Sequence, residues 1–250
     1  FLPEMEAFLF NILEQVDSTN NYAMQQVHAG MAKHGMCWMT YYQSAGKGQR
    51  GKNWESRPGE SVLMSVAVQP RAVFNLQHFH FHAVVALACG KFLSQQTDES
   101  FSLKWPNDLY WRDRKAGGIL IENIIRGNSW NWAVIGIGLN IHQEDFGPHT
   151  HRAVSLRQIT GRLFNVESLA RQLHRQLLED IDNVTANSLP HILNDYNEHL
   201  YKKNTEMAFI HNGEACTAKV HRVDEYGRLH TSASGPDGWP FGAVQWVTEL

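Results

Sequence analysis

Between positions 46 and 52 the chain runs Gly46, Lys47, Gly48, Gln49, Arg50, Gly51, Lys52, three glycines interleaved with three cations. Glycine takes positive φ without steric cost and leaves its amide exposed, so such a loop can wrap an anion while the cations neutralise it. The chemistry this serves is phosphate handling, in a nucleoside triphosphate or an adenylate. A second cluster, Lys104, Trp105, Pro106, Asn107 and Asp108, places an amine, an amide and a carboxylate within five positions.

Two familiar phosphate motifs fail on inspection. Gly46, Gly51 and Lys52 satisfy the Walker A spacing, but Asn53 stands where a Ser or Thr hydroxyl should meet Mg²⁺. The residues that follow, with Pro58 and Gly59, are turn formers and not the start of a helix. Gly136 and Gly138 lack the third glycine and following helix of a dinucleotide fingerprint.

The elements that must position these groups follow from periodicity. A strand is expected over 8–16, then a helix capped by Asp17 or Ser18 that runs to about His28 and closes at Gly30. Strands at 36–42 and 61–69 flank the glycine-rich loop. A helix over 76–95 precedes a strand at 101–104, which Pro106 ends. Strands at 115–125 and 130–141 are joined by a hairpin turn at 126–129. Helices at 166–185 and 189–200 follow, and after 203 five short strands separated by turn sequences predict a small barrel. The division expected is 1–203 for a catalytic domain and 204–250 for the barrel.

Composition sets the bounds. With 250 residues, 43% hydrophobic and 19% charged, the chain can bury a sizeable core. A formal net charge of -3 gives no general attraction for nucleic acid, so the loop's cations are a local device. Cys37, Cys89 and Cys216 are scattered and read as buried small apolar residues in a reducing cytosol. No apolar run approaches eighteen residues, and the first residues lack the pattern of a signal peptide, so a cytoplasmic, non-membrane protein is expected. His78 and His82 share a helix face without a third ligand, which predicts a surface pair and no metal site built by protein ligands alone.

Taken in order, five segments resemble the biotin protein ligases. They are Ser18-Thr19-Asn20; the run from Gln43 to Gly51; Lys104 to Asp108; Lys115-Ala116-Gly117-Gly118-Ile119-Leu120; and Gly136-Ile137-Gly138-Leu139-Asn140. The resemblance covers nearly the whole chain. It implies an α+β fold, a mixed β-sheet with flanking helices of the biotin/lipoate ligase type, plus a small C-terminal SH3-like β-barrel. It also implies a two-step reaction: biotin and MgATP give biotinyl-5′-AMP and pyrophosphate, and a lysine of a biotin carboxyl carrier protein domain then displaces AMP. ATP with Mg²⁺ and biotin are thus the expected ligands, and a homodimer is an allowed assembly.

The same resemblance assigns roles. Ser18, Thr19, Asn20 and Gln43 would meet the ureido group, with Gly46, Lys47, Gly48, Gln49 and Gly118 completing the biotin site. Read alone, Ser18 to Asn20 are a helix cap. Lys47, Arg50, Trp54, Lys104, Asn107 and Asn140 fall on the nucleotide side. Relatives often carry Arg at Lys47 and sometimes at Gln49; lysine keeps the charge but loses the bidentate fork. Lys115 would bridge the biotin carboxylate and the α-phosphate, although read alone it is an ordinary charge in a turn. Lys115, Arg50 and Asp108 are the catalytic candidates, Asp108 orienting the incoming amine or taking its proton.

Three other readings compete. A lipoate or octanoate ligase or transferase shares the fold, but gives no reason for the Lys104 to Asp108 cluster or the cationic loop. A biotin-sensing DNA-binding repressor would need an N-terminal winged helix, and the catalytic strand is expected within about ten residues of Phe1. A non-catalytic adaptor would not need intact catalytic motifs.

Overall fold

The computed structural model describes residues 9–75, 78–147 and 152–247. The expectation about an N-terminal leader falls on residues outside these. Strands and helices alternate as β1 (Phe10–Val16), α1 (Thr19–His28), β2 (Met36–Gln43), β3 (Ser61–Val68), α2 (His78–Thr97), β4 (Ser102–Lys104), β5 (Asp108–Trp111), β6 (Arg114–Arg126) and β7 (Ser129–Asn140). Then come α3 (Leu156–Thr160), α4 (Val166–Asp182), α5 (Leu189–Glu198), β8 (Glu206–His211), β9 (Glu214–Val223), β10 (Leu229–Thr231) and β11 (Val244–Trp246).

Seven strands form one mixed sheet in the order β1-β2-β3-β7-β6-β5-β4. Only β1 and β2 pair in parallel, because α1 carries the chain across between them. Ser18 caps α1 by accepting the Asn21 amide, and Gly30 ends it at φ +70°. The two faces of the sheet are set by period-two alternation. Cys37, Met39, Val66, Val68 and Ile135 point to the large core, while Trp38, Ala67 and Val134 point to a smaller cluster with Ala23 of α1. The large core is roofed by α2, which packs on α4 and α5. On α4, Leu169, Leu173, Leu177 and Ile181 recur at helical spacing and are all buried. Each contributes at most about 1.5 to 3 kcal/mol.

The hairpin between β6 and β7 turns on Gly127 and Asn128, with Gly127 at positive φ. Two elements were not expected. Pro106 ends β4, but the chain folds straight back as β5, with Lys104 opposite Asp108. The short helix α3 carries a complete capping box between Ser155 and Gln158.

Among the described residues the C-terminal segment is an antiparallel sheet of four strands, ordered β10-β9-β8-β11, where five strands were expected. Asn212 and Gly213, both at positive φ, close the β8–β9 hairpin. The missing strand is reduced to a single bridge between Leu229 and Trp239. Phe209, Val220, Trp239 and Trp246 of this sheet join the large core.

The histidine expectation also changes. His78 is exposed and packs at a tilt against Trp130, but His82 is partly buried, and its Nε2 lies 2.6 Å from the carbonyl oxygen of Pro106. Burial holds His82 below the ordinary histidine range, so it pins the turn after β4 as a neutral ring. Among the described residues no group of three potential ligands gathers as a metal site. No helix there is long and apolar enough to cross a membrane. Cys37 and Cys89 are buried, whereas Cys216 is only half-buried.

Candidate active site

A cleft of about 680 Å³ opens over the face of the sheet on which α1 packs. Its floor follows the alternation already described: Leu63 on β3, Gly118 and Leu120 on β6, and Gly136 and Gly138 on β7. The same alternation places Ser65 and Glu122 on this face. Neither was singled out from sequence, although their period-two spacing from Leu63 and Leu120 carried the signal.

One end of the cleft is a network of hydroxyls and amides. Thr19 donates from its backbone amide (2.8 Å) and its hydroxyl (3.1 Å) to Oε1 of Gln43. Ser65 Oγ lies 2.8 Å from Thr19 Oγ1 and 2.5 Å from Asn20 Oδ1. Asn20 Nδ2 donates to Glu122 Oε2 at 2.8 Å and to the Leu120 carbonyl. Ser18, Thr19 and Asn20 are buried and line the cleft. Ser18 is therefore both the helix cap and a cleft residue. Gly136 is required here, because a Cβ on it would fall 2.2 Å from Asn20 Oδ1.

The glycine-rich loop closes on itself over the cleft. Trp54 donates its amide to the Gly46 carbonyl, Gly48 donates to that of Lys52, and Lys47 bridges Asn53, making a small hairpin with Arg50 and Gly51 at its tip in positive φ. Gly46 is buried under this hairpin and does not face the cleft; a Cβ on it would meet the Trp54 carbonyl at 2.4 Å. Lys47, Gly48, Gln49 and Arg50 do line it. Lys47 Nζ sits 3.8 Å from Glu122, and Arg50 donates to the Gly242 carbonyl at 3.0 Å.

The indole of Trp54 lies flat over the strand glycines. A Cβ on Gly138 would meet its ring at 2.6 Å and one on Gly118 at 3.1 Å. Its Nε1 is buried without a hydrogen-bond partner. Lys115 Nζ lies 5.4 Å from the ring centroid and 2.7 Å from Asp108 Oδ1. Asn107 lines the cleft, but its Nδ2 donates to the Ile119 carbonyl while its own carbonyl accepts from the Ile119 amide.

Lys104 is buried in the wall, where Nζ donates to the Tyr110 hydroxyl at 3.0 Å. Burial brings this amine down to about 8, helped by Lys115, Lys52 and Arg152 and opposed by Asp108.

Asn140 departs from the expected nucleotide contact. It is absent from the cleft lining, and its Nδ2 donates to the carbonyls of Lys115 and Val154, each at 3.2 Å. As the last residue of β7 it anchors the start of β6 from behind. The C-terminal sheet, given no role from sequence, lends Phe241, Gly242, Val244, Gln245 and Trp246 to the cleft. The aromatic residues at 239, 241 and 246 were the one sign of it.

Residues 12–140 match the sequence model of the Biotin/lipoate A/B protein ligase family, and the chain belongs to that family. The bifunctional ligase/repressor BirA of Escherichia coli is 33% identical over 134 residues, which are 52% of this chain and 40% of that protein. The chain thus spans well under half the length of that relative. The biotin--[acetyl-CoA-carboxylase] ligase of Mycobacterium tuberculosis is 24% identical over 232 residues, 90% of this chain and 84% of that one. In fold, the chain is similar to the biotin protein ligase of Aquifex aeolicus solved with biotin and ATP, with a TM-score of 0.76 at 22% identity over 96% of this chain and 95% of that one.

Proposed function

We propose that this chain forms biotinyl-5′-AMP from biotin and ATP, with Mg²⁺ arriving on the nucleotide, and passes biotin to a lysine of a carrier domain of a biotin-dependent carboxylase. The observation that carries the reading is the position of Lys115 between two chemically different halves of one cleft. On one side Thr19, Asn20, Gln43 and Ser65 offer donors and acceptors for a ring that has both, as the ureido group does. The dithiolane of lipoate has neither, which favours biotin. On the other side Lys47, Arg50, Lys104 and Trp54 suit a nucleotide triphosphate.

In the first step a carboxylate oxygen attacks the α-phosphorus, the bond to the β-phosphate breaks, and pyrophosphate leaves. Lys115 holds the two anions together and offsets charge on the phosphorus oxygens, and Arg50 and Lys47 add to that field. In the second step the carrier amine attacks the acyl carbon, the bond to AMP breaks, and Asp108 takes the amine's proton. Asn140 acts at one remove, by fixing the backbone of Lys115. Residues 1–203 would form the catalytic domain and 204–250 a second unit that completes the cleft. The names of the E. coli and M. tuberculosis relatives agree with this activity.

The test is to mix the protein with MgATP and either biotin or lipoate, look for the acyl-adenylate by mass spectrometry, and then add a carrier domain. Adenylate and amide with biotin alone are expected. Adenylate with lipoate only, or tight sequence-specific DNA binding with no transfer to any carrier lysine, would overturn the assignment.

A further inference from the structure

Lys104 is 8% exposed, and among the described residues no carboxylate lies within ion-pairing distance of its Nζ. Around it stand three aromatic rings, with centroids at 4.6 Å for Tyr110, 5.7 Å for Trp246 and 5.8 Å for Tyr201. A buried cation without a counter-ion is costly, and ring faces offset only part of that cost. Lys115 differs in that it is more exposed and has Asp108 within 2.7 Å.

The rings come from distant parts of the chain and are themselves fixed. Trp246, on β11, donates Nε1 to the carbonyl of Trp105 at 2.8 Å, one residue beyond Lys104. Trp105 in turn donates its Nε1 to the Gly227 carbonyl at 2.9 Å. Tyr201 packs against both Tyr110 and Trp246, and its hydroxyl donates to Asp113 at 2.8 Å. The hairpin that carries Lys104 is therefore gripped from the C-terminal sheet.

We propose that Trp246 and Tyr201 are positioning residues for adenylate formation: with Tyr110, whose hydroxyl accepts from Nζ, they hold the Lys104 ammonium at the cleft, charged and without a carboxylate partner, for a phosphate. The inference rests on the assignment of ATP to this cleft. A carboxylate in place of the rings would satisfy the amine in advance; rings hold it in place while leaving its charge for the ligand. The groups that face it are Asp108, Lys115, Lys52 and Arg152, with the hydroxyls of Tyr110 and Tyr201, both of which burial keeps protonated. Three of the four charged groups are cations, so an incoming polyanion supplies what the site lacks.

The experiment measures pyrophosphate release by the whole chain and its Trp246→Leu and Trp246→Phe variants, with kcat and KM for ATP and biotin followed against pH. In the unmodified protein kcat/KM for ATP should fall as pH rises through about 8, where Lys104 loses its proton. Trp246→Leu should raise KM for ATP about tenfold, leave KM for biotin unchanged, and move the alkaline limb upward as water reaches Nζ. Trp246→Phe keeps a ring and should restore most of the affinity. A folded Trp246→Leu with normal KM for ATP and an unmoved limb overturns the proposal, and so does a Phe variant as impaired as Leu. Should Trp246→Leu fail to fold, Lys104→Met carries the test: a limb near pH 8 that survives it, or an unchanged KM for ATP, is fatal. No adenylate from the unmodified protein would instead sink the ligase assignment itself.

Discussion

Lys115 Nζ and Asp108 Oδ1 lie 2.7 Å apart across the β5–β6 ladder, in which Asp108 sits opposite Gly118. A Cβ at 118 would lie 3.5 Å from Nζ, in ordinary contact, and would press instead on the Trp54 ring at 3.1 Å. The two side chains are 33% and 22% exposed, so the pair adds little to stability, under about 1 kcal/mol. Under the proposed function its importance is chemical.

Lys115→Ala should therefore leave the thermal midpoint nearly unchanged while cutting adenylate formation roughly ten to two hundred fold, the worth of one charge-assisted hydrogen bond. Asp108→Asn should spare the first step more than the second. Single-turnover transfer from preformed adenylate separates the two. Equal loss in both steps would show that Asp108 only orients Lys115.

Gly138→Ala should expel the Trp54 indole, since the added methyl would sit 2.6 Å from its ring. The backbone under a central strand cannot yield, so a cost of about 1 to 3 kcal/mol is expected, with ATP affinity down tenfold or more. Calorimetric titration and a melting curve check it. Normal ATP binding by a folded Gly138→Ala protein would remove Trp54 from the nucleotide side of the cleft.

Trypsin should cut at Lys47, Arg50 or Lys52, whose side chains stand on the exposed hairpin, and biotin with MgATP should protect all three. Mass mapping of the first fragments reads this out. Identical cutting in both states would mean that the hairpin takes no part in ligand capture.

Lys104→Met should stabilise the protein near neutral pH by on the order of 1 to 3 kcal/mol, since it removes a charge that burial disfavours. Between about 8 and the ordinary 10.5 the unfolded chain still holds the lysine proton that the folded protein has released. More protons are bound unfolded than folded, so this group's contribution raises stability with pH across that window. The variant should lose that slope. Denaturant unfolding of both proteins at pH 7, 9 and 10 is the measurement.

What could be read in the sequence was what local chemistry decides. Ser18 and Gly30 bracket α1 because a cap and a left-handed residue act on their own turn of helix, and Gly127 marks its hairpin for the same reason. The strand β5 escaped notice because Pro106 reads as a stop, whereas the pairing of Lys104 with Asp108 is made by residues on both sides of it. Asn140 and His82 show the limit of reading a polar residue by its neighbours in the chain. One bonds to Val154 and the other to Pro106, and neither partner follows from spacing. The aromatic wall of Lys104 was hidden most deeply, since Tyr201 and Trp246 belong to segments that carry no motif.

The bond from Trp246 to the Trp105 carbonyl joins residues 141 apart in sequence. A ribosome delivers this chain from its N-terminus, so the glycine-rich loop, the helix cap and the Lys115 strand emerge long before the indole that packs beside Lys104. The cleft is thus finished last by its most distant contributor, and chains truncated ahead of β11 carry the sequence motifs without the completed wall around Lys104.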